Sequence, residues 1–485
     1  MNELILPILL FLPLGAAILS FVADRRRLDT FLLPLSAVLH LLLSLICCQG
    51  EQGKSVSLLT LDPLSRPFLL VLSVLFLASA LYSADYLMRS KMEEHEKRLY
   101  TTFLLLTLFA MTGVTLTNHL GLTWVFIEAT TLLSAPLIMV HKTRHSLEAS
   151  WKYLFICSVG IALAFIGMLF LVLAESGAGH RTVLSLPFLV AKSPTFNPVW
   201  LKLSFAFVLV GYGTKAGLAP MHTWLPDAHA EAPAAVSALL SGTLLNCAML
   251  GILRFYRVLA PTEALPFARN VLIFAGLLSL FVCAVYVFTI KDYKRLLAYS
   301  SMENMGIIAV GAAVGGLGAL GALVHLIGHS LTKASLFLSS GGILRRYQSK
   351  SIEMVRGLLK ADRPLGVLWI LGLLSLIAMP PFVLFGSEVL IIGRMLSGEM
   401  YVPAVIFIVL QTIVMAGLSS SVLKMALGEP PAGALQYRTS RRERMMAQLP
   451  AYLLLVLAVL ANILLLTGAG DFIREAARLL GGVDL

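Results

Sequence analysis

Apolar runs of about twenty residues recur along the whole chain, separated by short breaks rich in Lys, Arg, Gly or Pro, and a run of that length is what one bilayer crossing requires. Inside hydrocarbon no water satisfies the backbone, so each run must be a helix or a strand of a closed barrel. The runs lack the alternation of barrel strands, which leaves helices. With 58% of 485 residues hydrophobic, 13% charged and a mean hydropathy of +0.88, a water-soluble domain could not hide these residues inside. The sequence therefore predicts an all-α, polytopic membrane protein of about fourteen spans, near 3–23, 28–48, 63–84, 100–118, 120–140, 152–174, 200–220, 233–256, 268–290, 298–314, 317–344, 365–395, 402–426 and 450–468. The first has no basic segment ahead of it and is too long for a usual signal peptide, so it is expected to be a retained helix.

Lys and Arg fall mostly in alternate loops: Arg25, Arg26 and Arg27; Arg89, Lys91, Lys97 and Arg98; Lys142, Arg144 and Lys152; Lys291, Lys294 and Arg295; Arg345 through Arg363; Arg438, Arg441, Arg442 and Arg444. The other loops are nearly bare apart from the region of Arg254, Arg257 and Arg269. Positive loops stay on the cytoplasmic side, so both termini are expected outside a multi-pass protein of the cell's cytoplasmic membrane. The net charge of +11 then reads as topology-setting charge against anionic headgroups and not as a nucleic-acid surface. Cys47, Cys48, Cys157, Cys247 and Cys283 form no CxxC pair, which argues against iron–sulfur or zinc ligation.

No soluble domain or low-complexity segment interrupts the pattern. A span with an ionisable residue beside a Gly/Pro break occurs at 211–220 and again at 379–388, five spans later. Two five-helix repeats would produce that echo, and transporters place ion sites at such paired broken helices. The expected division is 1–99 for the first three helices, 100–260 and 261–426 for the repeats, and 427–485 for a cytoplasmic loop and the last helix.

A charge at the bilayer centre costs about 2.5–3.5 kcal/mol on insertion scales, so each one needs a partner, water or a function. Glu128, in TWVFIEATTLLSAPLIMV, has no other carboxylate near it in sequence, and Lys215, in VGYGTKAGLAP, is its obvious partner. Burial disfavours the charged form of each, whereas bringing them together favours both charges. A static ion pair orienting two helices is the alternative. In GALVHLIGHSLTKASLF, His325, His329 and Lys333 recur every fourth residue, which places them within roughly 80° of arc and about 12 Å of one helix face. Such a row suits a water-linked proton relay; a metal bound by the His pair with a third ligand not evident in sequence, or hydrogen bonding between helices, are the alternatives. Glu388 follows Pro380, Pro381 and Gly386, where an interrupted span can line a cavity; it is either an ion exit or an interfacial residue beside an outer loop. Glu303, in YSSMENMGI, is placed near the cytoplasmic start of its span, where it could cap the helix, pair with Arg295 or serve the relay.

Two patterns invite other chemistry. Gly316, Gly318 and Gly321 spell GxGxxG, but no strand precedes them, and a tight turn between spans accounts for them. The stretch MHTWLPDAHAEAP offers His222, Asp227, His229 and Glu231. Pro226 and Pro233 are expected to break any helix there, and nothing supplies an oxyanion hole.

The run GTKAGLAPMHTWLPDAHAEAPAAVSALLSGTLL, followed in order by LLAYSSMENMGI, HLIGHSLTKASLF and MPPFVLFGSE, closely resembles the antiporter-like subunits of respiratory complex I, membrane-bound hydrogenases and multisubunit cation/proton antiporters. The resemblance covers roughly spans 4 to 13. It implies fourteen helices with two inverted five-helix repeats broken at helices 7 and 12. It also implies a proton path from the coupled pair Glu128 and Lys215, through Lys333 with His325 and His329, to Glu388. Many complex I members have a Lys in the eighth span where this chain has Asn246, which can orient water but cannot take a proton at neutral pH. Asn246 and Glu303 are thus possible relay members.

The MENMGI and PPFVLFGSE forms look closest to the hydrogenase-4 and formate hydrogenlyase type. That likeness implies a proton-translocating subunit of a redox-driven complex, with no cofactor in this chain, nickel–iron and iron–sulfur centres in partner subunits, and other membrane subunits beside a peripheral hydrogenase or dehydrogenase module. The transported ion would be H+ or Na+. A cation/proton antiporter or inorganic-carbon uptake subunit without redox coupling is one alternative, and a non-conducting scaffold for a peripheral enzyme is another.

Overall fold

Among the described residues the apolar runs are mainly helical, and several helix ends coincide with caps or breakers in the sequence, such as Asn197, Gly217, Asp292 and Asp362. The structure, a computed structural model, describes residues 2–22, 28–49, 58–176, 183–436, 441–465 and 470–481. Arg25, Arg26, Arg27 and Arg438, position 23 of the first expected span and positions 466–468 of the last lie outside the described residues. The long helices are α1 (Asn2–Val22), α2 (Leu28–Gln49), α3 (Ser65–Arg89), α4 (Glu94–Leu116), α5 (Leu120–Ile138), α6 (Arg144–Ser176), α7a (Pro198–Ala216), α7b (Trp224–Glu231), α8 (Ala234–Leu259), α9 (Leu265–Tyr286), α10 (Tyr293–Val314), α11 (Leu317–Tyr347), α12a (Arg363–Leu376), α12b (Val383–Ser397), α13 (Tyr401–Ala426) and α14 (Arg441–Leu465). Among the described residues there is no strand, and isolated bridges such as Asp292 to Ser351 tie loops together.

By length and composition, nine of the described helices can each cross a membrane. The other long elements are the two broken helices, α10 and α11 with their buried polar residues, and α14, whose apolar part is Ala447–Ile463. Outward faces carry exposed Phe31, Phe155, Phe274 and Val402, as a protein dissolved in lipid requires. The chain is a multi-pass membrane protein.

Charge separates the two ends of the bundle. On one side Asp227 pairs with Lys152 at 3.1 Å and Arg295 at 2.7 Å, Glu231 with Lys350 at 2.8 Å, and Asp362 with Arg346 at 3.0 Å. The opposite side holds Arg257 on Asp62 at 3.1 Å and Arg66 on Glu475 at 3.3 Å. Helix α4 starts earlier than its apolar run because Glu93 and Glu96 form a capping box.

Helices α6 and α7a meet at glycine: a Cβ on Gly211 would lie 2.5 Å from the Ala164 nitrogen and the Gly160 carbonyl oxygen. The break after α7a follows from Gly217, whose φ of 75° ends the helix while Leu218 N–H donates to Gly213 O at 2.8 Å. Backbone groups freed there find partners, since Trp224 Nε1 donates to Thr214 O at 2.8 Å and Ala219 N–H to Ser279 Oγ at 3.0 Å. The second break, between α12a and α12b, spans Met379, Pro380 and Pro381, and Asn462 donates to Pro381 O at 3.2 Å.

Three sequence expectations are corrected. Pro226 does not prevent a helix over Trp224–Glu231, because it sits in the first turn, where a missing N–H costs nothing. Arg254 is not a loop charge: it is fully buried in α8 and donates to Val114 O at 2.8 Å, Thr123 Oγ1 at 3.0 Å and Ser65 Oγ at 2.9 Å. Lys294 is likewise buried, with its ammonium donating to Ala232 O at 2.8 Å.

A buried row of titratable side chains

The row begins on α5. Glu128 and Thr131 lie one turn apart on the same face. Glu128 is half-buried and accepts from Ser158 Oγ at 2.8 Å, while its Oε2 is buried without a protein partner among the described residues. Lys215, at the end of α7a beside the break, is fully buried and donates to Thr131 Oγ1 at 2.8 Å and to the Tyr153 hydroxyl, with its ammonium 4.5 Å from the Tyr153 ring centre. Tyr153 in turn shares a 2.7 Å hydrogen bond with Ser134. Glu128 and Lys215 are thus within Coulombic range but form no ion pair. The static pair weighed from the sequence is replaced by hydroxyls on both groups.

Between the two halves lies α8. Its helical repeat loosens to a π turn over Leu240–Leu244, a distortion frequent at functional sites. Asn246 follows directly, donating to Gly242 O at 2.7 Å and Ser330 Oγ at 2.8 Å, with its own Oδ1 buried and unpartnered among the described residues. Ser241 meets Ser301 of α10 at 2.8 Å. Both ring nitrogens of buried His329 lack a protein partner among the described residues.

Lys333, one turn further along α11, donates to Leu297 O at 2.8 Å and to Ser300 Oγ. Glu303 lies within Coulombic range of it. Glu303 occupies the middle of α10, not its start: Asp292 caps that helix by accepting from the Lys294 and Arg295 amides at 2.7 and 3.1 Å, and Arg295 is bound to Asp227. Neither the capping nor the pairing alternative for Glu303 therefore holds. Beside Glu303, Asn304 Oδ1 accepts from His325 Nε2 at 3.0 Å, and His325 Nδ1 meets Ser387 Oγ of α12b at 2.9 Å. Glu388 is only 9% exposed, lies within α12b and not in the loop that follows it, and accepts from Gln411 Nε2 of α13 at 3.0 Å. Glu303 and Glu388 are close enough to act on one another electrostatically.

The sequence reading missed several members. His229, set aside with its loop, is fully buried, stacks on Phe337 at 4.7 Å and lies within Coulombic range of Lys333 and Lys294. Thr131, Tyr153, Ser300 and Gln411 are neutral residues inside apolar runs; the available signal was that polar side chains in spans hydrogen-bond across helices. Asp227 and Glu231 of the same stretch are tied up in surface ion pairs. Among the described residues no group of three or more His, Cys, Asp or Glu side chains could hold a metal ion, and the described cysteines are free thiols. The Gly316 region is a turn between α10 and α11, with φ of 71° at Gly315 and 53° at Gly316.

Comparison with known proteins gives a consistent outcome. The chain is 33% identical over 430 residues to a hydrogenase-4 component F homolog of Methylacidiphilum infernorum, covering 87% of this chain and 90% of that protein. It is 34% identical over 346 residues to hydrogenase-4 component B of Escherichia coli, covering 68% of this chain and 50% of that longer protein. The fold matches a chain of the membrane-bound sulfane sulfur reductase, an archaeal respiratory membrane complex, with a TM-score of 0.85 at 20% identity over 98% of this chain and 97% of the other. A chain of the Mrp complex from Dietzia matches with a TM-score of 0.82 at 21% identity, over 99% and 97% of the two chains. Residues 117–414 match the family described as NADH:quinone oxidoreductase/Mrp antiporter, TM, and the chain belongs to that family.

Proposed function

We propose that the chain is the proton-translocating, antiporter-like subunit of a redox-driven membrane complex of the hydrogenase-4 kind. The observation that carries this reading is the row itself: Lys215, Lys333, Glu303 and Glu388 are buried and Glu128 half-buried within the helix bundle, with hydroxyl, amide or carbonyl partners instead of ion pairs. A buried ion pair would be a static solution to the cost of burial. Neutral partners leave each group free to change protonation, and the unpartnered atoms of Glu128, Asn246 and His329 call for water between them.

In this reading an event in the partner redox module changes the charge state at Glu128. Lys215 senses it through space and passes its proton by way of water held near Asn246 and His329 toward Lys333, after which Glu303 and Glu388 exchange it with the far side. Electrons stay with nickel–iron and iron–sulfur centres in partner subunits. The basic side of the bundle is cytoplasmic, both termini lie outside, the membrane is the cytoplasmic one, and the broken helices belong to two inverted repeats at 100–260 and 261–426 that follow the three helices of 1–99. Residues 427–485 supply the last loop and helix.

Lys215→Met in the complex reconstituted into vesicles tests the proposal. Proton uptake driven by the redox reaction falls at least about tenfold while the complex still assembles; unchanged uptake with intact assembly would leave only a scaffold. The likeness to a chain of the Mrp complex favours a second reading, transport without redox coupling. Gentle purification separates the two, since that reading brings no nickel or iron–sulfur protein with the chain.

A further inference from the structure

A cavity of about 340 Å³ opens among α3, α4, the start of α8 and the end of α11, at the low end of the roughly 300–1,000 Å³ range of small-molecule sites. It lies on the side of the bundle that holds the Asp227 and Glu231 ion pairs, next to the last turns of α3 and α11 and so at the membrane surface. Two cations line it. Lys294 donates to Ala232 O at 2.8 Å, Arg345 lines the cavity together with Tyr82, and neither cation is in an ion pair among the described residues. The carboxylates nearby are engaged elsewhere: Asp85 with Arg89 at 2.8 Å, Glu231 with Lys350 at 2.8 Å, and Asp292 with the first amides of α10. At the rim, burial and then the Lys294 and Lys350 charges hold the His141 pKa below its ordinary value. The cavity is therefore a place of net positive potential, walled on one side by Tyr82, Tyr86 and Tyr100.

We propose that this cavity binds the phosphate-bearing headgroup of an anionic membrane lipid. Phosphate oxygens take charge-assisted hydrogen bonds from ammonium and guanidinium groups, and tyrosine gathers at headgroup depth, where an apolar ring and a polar tip are both satisfied. Basic pockets between spanning helices on the cytoplasmic side are the usual receptors of such headgroups. A free inorganic anion would gain nothing from the aromatic wall. An acidic peptide from a partner would need cations on the surface, whereas Lys294 is buried. The inference does not depend on the proton-translocation reading.

The test uses the intact complex, stripped of native lipid by detergent exchange and titrated with short-chain phosphatidylglycerol, phosphatidylcholine of the same chain length, or inorganic phosphate, with binding read by native mass spectrometry. Phosphatidylglycerol is expected to bind at least about tenfold more tightly than phosphatidylcholine, with inorganic phosphate failing to displace it. Lys294→Gln and Arg345→Gln each weaken it about fivefold, while Arg345→Lys retains most of the affinity. Equal binding of the two lipids, displacement by equimolar phosphate, or undiminished binding in Arg345→Gln overturns the proposal. So does binding that appears only once partner subunits are removed, which would assign the cavity to an acidic partner. Should Lys294→Gln fail to assemble, the lipid comparison on the unaltered protein and the two Arg345 variants still decide.

Discussion

Arg254 spends its guanidinium on the end of another helix, donating to Val114 O, to Thr115 O at 3.4 Å and to the hydroxyls of Thr123 and Ser65. A cation there also meets the negative end of the α4 dipole. Arg254→Met keeps the bulk but strands those acceptors, so thermal unfolding of the solubilised protein should show a loss of about 2–4 kcal/mol, with Arg254→Lys recovering part of it. At the far end of the row, Gln411→Leu removes the amide that donates to Glu388; proton flux should fall several-fold, less than for Glu388→Gln, because the titrating group itself survives. Individual residues were only partly legible in the sequence. Glu128, Lys215 and the α11 row stood out because a charge amid apolar residues has few explanations. Arg254 and Lys294 were misread because they flank the ends of apolar runs, where counting residues does not tell a buried cation from a loop cation. Glu303 was put too shallow for the same reason: the polar first half of α10 looked like loop but is buried in the bundle, in a helix packed against α9 and α11.

Helices α6 and α7a approach as closely as their glycines permit, and α9 and α10 do the same at Gly276 and Gly306, where a Cβ on Gly306 would lie 2.7 Å from the Gly276 carbonyl oxygen. Lys215 reaches Thr131 and Tyr153 only while α7a keeps that closeness to α6. Gly211→Ala should therefore push the two helices apart, costing about 1–3 kcal/mol and lowering flux. Gly213→Ala is the control, since its Cβ would sit 3.7 Å from Leu218, an ordinary contact. Measuring the melting temperature and proton flux of both variants separates tight packing from generic sensitivity of the helix. Elements were far more legible than contacts. Among the described residues the expected spans fall mainly on helices, and the two expected at 200–220 and 365–395 run into the breaks after Ala216 and Leu376. What composition concealed was the short helix α7b, whose Pro226 reads as a breaker until its place in the first turn is known, and the π turn in α8, which no residue type announces.

Across the whole molecule the row divides into a Glu128–Lys215 half and a Lys333–Glu388 half, and α8 is what joins them. Asn246 sits at that joint with its amide nitrogen bound to Gly242 and Ser330 and its carbonyl oxygen free to accept from water. If the halves work as one path, the joint must carry protons although Asn246 cannot bind one at neutral pH, so water ordered by its oxygen and by His329 has to do so. Asn246→Leu has similar volume but no acceptor. It should lower redox-driven flux about as steeply as Lys215→Met, while assembly and the partner's redox turnover without a proton gradient stay intact. Two independent half-paths predict something different: Asn246→Leu would then leave flux nearly unchanged, and Lys215→Met and Glu388→Gln would each remove only a share, adding up in the double variant. A continuous path gives no such addition, because groups acting in series cannot be lost twice. Flux measured on the three single variants and the Lys215→Met, Glu388→Gln double variant thus decides whether this protein carries one proton route or two.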